Sequence, residues 1–187
     1  MRVGALWIYP VKSCRGLAVE HSEVTPKGLS RDREWMVVDE AGRFLTQRTH
    51  PQMTQIRVSL EADHLILSDC RDVLEPIAVP RSTTGPKREV RIWKTQTLAL
   101  DEGDVVADWL TRLLDTPCRL VRQSSDYPRP TDPEYAPGGT VSFADGYPLL
   151  LTTTASLADL NRRIQASDPK ADPVSMRQFR SNIVVEL

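Results

Sequence analysis

The chain is a succession of short apolar runs, each closed by a turn signal, and this limits the folds open to it. Residues 3–9 are β-branched and aromatic and stop at Pro10. Residues 17–24 alternate loosely up to Thr25-Pro26-Lys27-Gly28, a turn sequence. Trp35-Met36-Val37-Val38-Asp39 reads as a buried strand. Glu40-Ala41-Gly42-Arg43 turns it into Phe44-Leu45-Thr46-Gln47, which predicts a hairpin. Residues 55–60, 64–68, 73–79, 89–93 and 97–100 supply further strand runs. Many short strands at this spacing predict a barrel or sandwich. The period changes once in this stretch. Val105, Val106, Trp109, Leu110, Leu113 and Leu114 recur at helical spacing, with acidic residues in the first turn, where the helix dipole favours them. Residues 118–122 return to strand.

Residues 124–139, rich in Ser, Pro, Asp and Gly, read as a linker or mobile loop between an N-terminal domain (1–123) and a second unit (140–187). In that unit, residues 147–152 and 182–187 are strand-like. A helix opens at 154–161, with Ser156 and Asp159 in an imperfect capping box, and should stop before Ser167-Asp168-Pro169. The expected fold class is mainly β (α+β), a β-barrel-like domain followed by a β-rich domain with a few helices. The last run needs a strand partner on each side to satisfy its backbone. On this reading the sequence is a fragment and the second domain is incomplete.

Charge decides little in favour of any polyanion. Twenty-four basic side chains meet twenty-five acidic ones, so neither nucleic acid nor an anionic membrane is drawn by bulk attraction. The N-terminal apolar run is too short for a signal peptide, and no stretch approaches the ~20 apolar residues that span a bilayer. Cys14, Cys70 and Cys118 lack C-x-x-C spacing, which argues against a zinc site or a disulfide framework. Reduced thiols in the cytoplasm are the expectation.

The candidate chemistry lies in a few dense segments. Lys12 and Ser13 follow Pro10 at a strand-to-loop corner and offer a compact cation and a hydroxyl donor to a phosphate oxygen. A solvated lysine beside a turn serine fits the spacing equally. Arg31-Asp32-Arg33, read as extended, puts two guanidiniums on one side and a carboxylate on the other; an anion clamp and a surface ion-pair network are both open. Arg48 can join the same cluster. Cys14, between Ser13 and Arg15, is either a thiol of lowered pKa or a buried inert one. His21, His50 and His64 lack metal-ligand spacing. Asp145 sits at the tip of a turn, able to accept hydrogen bonds from a polar heterocycle or to cap its own turn. Arg180 and Asn182 share a face if extended, a pair suited to an anion and a ring edge.

Taken in order, Leu6-Trp7-Ile8-Tyr9-Pro10-Val11-Lys12-Ser13-Cys14, residues 29–35 and Phe44-Leu45-Thr46-Gln47-Arg48 resemble the MOSC family, in particular its N-terminal β-barrel domain. Residues 142–151, 155–161 and Phe179-Arg180-Ser181-Asn182-Ile183-Val184 resemble the start of the MOSC domain that follows. The resemblance implies a molybdenum cofactor (Mo-molybdopterin), reduction of N-hydroxylated compounds, and an iron–sulfur or flavin electron-transfer partner. Pyridoxal phosphate binding is a further term attached to the family. The implied cofactor contacts are Lys12, Ser13, Arg33, Asp145, Arg180 and Asn182. Two departures accompany it: Ser181 stands where the family has proline, and none of the three cysteines matches the family's molybdenum ligand. The resemblance therefore implies no catalysis by these residues alone. It leaves open a non-catalytic anion- or pterin-binding module, or a sulfur-transfer protein.

Overall fold

A computed structural model describes residues 1–81 and 84–187. Its strands are β1 (Arg2–Ile8), β2 (Leu17–Val19), β3 (Val24–Thr25), β4 (Gly28–Leu29), β5 (Trp35–Asp39), β6 (Ile56–Leu60), β7 (His64–Asp69), β8 (Ile77–Pro80), β9 (Lys87–Ile92) and β10 (Thr95–Asp101). Helix α1 (Asp104–Leu114) follows, then β11 (Cys118–Gln123), β12 (Arg129–Pro130), β13 (Thr140–Val141), β14 (Leu151–Thr153), α2 (Thr154–Ser167) and β15 (Ile183–Glu186). The chain is mainly β with a few helices.

Two sheets, ordered β5-β11-β10-β9 and β6-β7-β8, enclose the main core together with α1. Val37 from β5, Ile56 and Val58 from β6, Leu65 and Leu67 from β7 and Leu120 from β11 meet Trp109, Leu110 and Leu114 of the helix. Alternate residues of β7 are buried, the period-2 pattern of a half-covered sheet. Removing an apolar side chain from water contributes roughly 1.5–3 kcal/mol, and among the described residues this cluster collects eighteen buried ones, none before Val11 or after Leu120. It is the cohesive part of the molecule.

A third sheet, ordered β14-β15-β1-β2, joins the two ends of the chain. Strand β15 pairs antiparallel with β1 and parallel with β14. The expected shortage of partners for the last strand does not arise, because both its sides are paired within the chain.

Several local expectations need correction. Phe44-Leu45-Thr46-Gln47 is not a strand: only a single bridge from Phe44 to Val38 forms before the chain turns at 47–49. The run at 73–79 narrows to β8, and that at 147–152 to β14. The cap of α2 is Thr153, whose hydroxyl oxygen accepts from the Ser156 N–H, not the Ser156/Asp159 arrangement. Residues 124–139 contain β12 and the buried Arg129.

Candidate functional site

A cavity of about 420 Å³ opens where the Lys12 corner, the 44–48 turn, the 144–150 segment and the 178–182 turn converge. All six expected contacts, Lys12, Ser13, Arg33, Asp145, Arg180 and Asn182, line it.

Three of the six hold a backbone that L-residues seldom adopt: φ is 67° at Ser13, 51° at Arg33 and 55° at Arg180. Such residues cost about 1–3 kcal/mol each and persist only where surrounding structure dictates them, most often at binding sites. Arg31 also has positive φ, 66°. This overturns the extended reading of Arg31-Asp32-Arg33. Arg33 enters the cavity, whereas Arg31 points elsewhere, toward the Glu61 carbonyl. Lys12 and Ser13 sit on a turn, as the strand-to-loop corner implied, and both reach the cavity.

The cations are held from behind. Arg33 donates Nη1 to Asp32 Oδ2 at 2.5 Å and to Asn182 Oδ1 at 3.1 Å, and Nη2 to the Arg180 carbonyl at 2.9 Å. Asp32, itself buried, also accepts from the Tyr9 N–H at 2.8 Å. Arg33 and Arg180 both lie over the Tyr9 ring, at 4.4 and 4.2 Å from its centroid, where the π face offsets part of their charge. Arg180 donates Nη1 to the Cys14 carbonyl at 2.7 Å, while its buried Nη2 has no partner. Burial, reinforced by Arg33, lowers the Arg180 pKa to about 10.

Lys12 is 7 % exposed and donates to Asp145 Oδ1 at 2.6 Å. Burial lowers its pKa, with Asp145 opposing the shift. At Asp145 burial pushes the carboxyl up, but Lys12 and the Trp93 indole N–H outweigh it, and the carboxyl stays below the usual range. Asn182 is almost fully buried. Its Oδ1 accepts from Arg33 and from the Leu150 N–H, and its Nδ2 donates to the Trp7 carbonyl. It therefore orients Arg33 and clips three segments together, leaving little of its amide for a ligand.

Residues outside the expected set complete the site. Arg129, 4 % exposed, donates to the carbonyls of Ser142 (2.9 Å), Ala144 and Asp145 (2.6 Å), fixing the loop that carries Asp145. Phe44 and Trp93 form an edge-to-face pair on the wall, and Arg48 reaches over Trp93. Gln47 donates to the Ser13 carbonyl at 2.7 Å. Trp93, read from sequence as the end of a strand run, instead takes positive φ at the turn between β9 and β10. Arg129 offered no signal in the sequence, lying among Pro, Asp and Ser. Gly28, with φ 113°, completes the frame from below: a Cβ there would stand 2.3 Å from the Pro148 carbonyl, so only glycine lets this turn pack against the cavity loop.

The thiols play no part. Burial pushes Cys14 up to about 12 and Cys118 up to about 11, and neither they nor Cys70 lines the cavity. Of the two readings of Cys14 the buried inert thiol holds: the residue is sealed in the core, and burial outweighs the opposing charge of Arg180. Among the described residues no group of His, Cys, Asp and Glu is placed to hold a metal, and no helix is long and apolar enough to cross a membrane.

The family model of the MOSC N-terminal beta barrel domain matches residues 1–117. Mitochondrial amidoxime-reducing component 1 of Homo sapiens is 35% identical over 98% of this chain and 55% of its own length. Molybdenum cofactor sulfurase of Homo sapiens is 30% identical over 96% of this chain and 22% of its own. The chain thus spans about half the length of the amidoxime-reducing relatives it matches, or less for the sulfurase. A Bordetella bronchiseptica protein of known solution structure shares the fold, with a TM-score of 0.53 and 19% identity over 73% of this chain and 100% of that one.

Proposed function

The chain belongs to the MOSC family, and on that premise we propose that its cavity holds the phosphate-bearing end of a molybdenum–pterin cofactor in a protein that reduces N-hydroxylated compounds. One observation carries the reading. Lys12, Arg33, Arg48 and Arg180 line a single cavity in which, among the described residues, Asp145 is the only carboxylate, and a buried guanidinium N–H of Arg180 has no partner. A buried unpaired donor of this kind costs about 1–3 kcal/mol, and a phosphate oxygen would satisfy it with a charge-assisted bond.

Within this reading Arg33, Arg180 and Lys12 offset the phosphate charge. Ser13 donates a hydroxyl. Asp145 accepts from a ring N–H of the pterin, and Asn182 and Asp32 keep Arg33 aimed. Phe44 and Trp93 exclude water from one wall. The bound group supplies the redox chemistry, and an iron–sulfur or flavin protein supplies electrons. Three free thiols fit a reducing compartment such as the cytoplasm. A molybdenum ion takes a soft thiolate; since no cysteine lines the cavity, no metal ligand is assigned to these residues. The same observation favours a second reading, in which residues 1–187 form a pterin- or anion-binding module without chemistry of their own. Sulfur transfer through Cys14 is disfavoured by the burial of its thiol.

The test is pterin and molybdenum analysis of the chain after expression in a host that makes the cofactor. Bound pterin in the native chain, lost in Lys12→Met and Ser13→Ala, is the expected result. A folded native chain that retains none when cofactor is supplied refutes the assignment. Pterin with no molybdenum selects the binding module.

A further inference from the structure

Among the described residues five buried side-chain polar atoms have no hydrogen-bond partner. Three of them, Arg81 Nε, Arg122 Nη2 and Ser142 Oγ, belong to residues lining one other cavity, of about 290 Å³. It lies between the 25–34 segment and the 122–126 segment, and it shares no lining residue with the cavity described above. Single orphaned polar atoms occur in many proteins; three on residues that line one cavity invite a common acceptor.

The chemistry of that acceptor follows from the donors. Guanidinium nitrogens donate and never accept, and a serine hydroxyl can rotate to donate. Ser142 is 2 % exposed and lines the cavity, and its hydroxyl has no partner within the chain. The carboxylates nearby are engaged. Asp32 serves Arg33 and the Tyr9 N–H, Glu34 lies 3.7 Å from Arg81, and Glu102 accepts from Arg122 Nε at 2.7 Å. Asp126, an exposed residue, is the remaining carboxylate among the described lining residues. Arg31 and Lys27 also line the cavity, and neither forms an ion pair with a carboxylate among the described residues.

We propose that this cavity is a second anion site, taking a phosphate-class oxyanion on Arg31, Arg81, Arg122 and Ser142. Its position gives it a bearing on the first. Arg33 lines the first cavity while Asp32 and Glu34 line the second, and Asp145 lines the first while Ser142 lines the second. The two cavities therefore draw lining residues from the same two segments, 32–34 and 142–145.

The test is calorimetric titration of the chain with inorganic phosphate at constant ionic strength, in three proteins. The native chain is expected to show two binding events. Ser142→Ala combined with Arg31→Asn (asparagine tolerates the positive φ) should weaken one at least tenfold and leave the other. Lys12→Met should do the converse. A second measurement uses the native chain alone: the Nε–H resonances of Arg81 and Arg122 should shift as phosphate is added. If these resonances stay fixed, or if Ser142→Ala/Arg31→Asn binds phosphate as the native chain does, the cavity is not a phosphate site.

Discussion

The barrel wall around Asp101 and the cavity around Arg180 are built from the same side chains and differ in how their charges are matched. On the wall Arg88, Arg119 and Arg122 face Asp101, Glu102 and Asp104, three cations to three carboxylates. Glu102 also accepts from the Trp35 indole N–H. In the cavity Lys12, Arg33, Arg48 and Arg180 face Asp145, with Asp32 behind Arg33. A matched network holds structure, because losing its buried member, Asp101, deprives two arginines of a shared partner. An unmatched one is completed by something that arrives from outside.

The largest effect should come from breaking the matched side. Asp101→Ala leaves Arg119 and Arg88 without their shared partner, and the chain should lose about 3 kcal/mol of stability in urea unfolding. Arg180→Leu should cost less, about 1 kcal/mol: it leaves the Cys14 carbonyl unpaired but also removes a buried cation that has no carboxylate of its own. It should weaken pterin or phosphate binding at least tenfold. Equal stability losses in the two variants would abolish the distinction drawn here.

The two buried carboxylates sharpen it through pH. At Asp101 burial raises the pKa, but Arg119, the Gly103 N–H and Arg88 bring it below the usual range. The stability it contributes is therefore fully present above the unfolded value, near 3.9, and is lost as pH falls through the lower folded value. At Asp32 burial prevails over Arg33, and the pKa is raised. That shift has the opposite sign: the native state holds its proton longer, so stability falls as pH rises from about 3.9 through the folded value. Native chain minus Asp101→Asn should thus diminish on acidification below pH 4. Native chain minus Asp32→Asn should diminish on raising the pH above 4. Chemical denaturation across pH 2–7 reads both, and parallel slopes would contradict the assignment.

The smallest effect concerns the helices. Helix α1 buries six residues, and α2 buries none. Removing the α2 cap with Thr153→Ala should cost about 1 kcal/mol, read as lost amide-exchange protection in 154–160 with α1 unaffected.

The sequence disclosed the fold where side-chain periodicity matched burial, as in β5, β7 and α1. It disclosed the cavity's members because cations and hydroxyls stood together at turn signals. What it hid was backbone conformation. Three arginines, Arg31, Arg33 and Arg180, adopt positive φ, and no period-2 or period-3.6 pattern reports a reversal confined to one residue. Read as extended, Arg31 and Arg33 share a face; in the fold they serve different cavities. Arg129 was hidden for another reason. Its burial comes from three carbonyls of the 142–145 segment, and backbone acceptors leave no mark in composition.

The pairing of β15 with β1 has a consequence for the order in which the molecule assembles. The main core is drawn from residues 11–120. The cavity instead closes through contacts of very long sequence separation, Arg180 to Cys14 and Asn182 to Trp7. Loop-closure entropy delays such contacts until most of the chain has condensed. During synthesis the barrel core can therefore condense while the cavity's last wall is still inside the ribosome, and competence to bind comes after competence to fold.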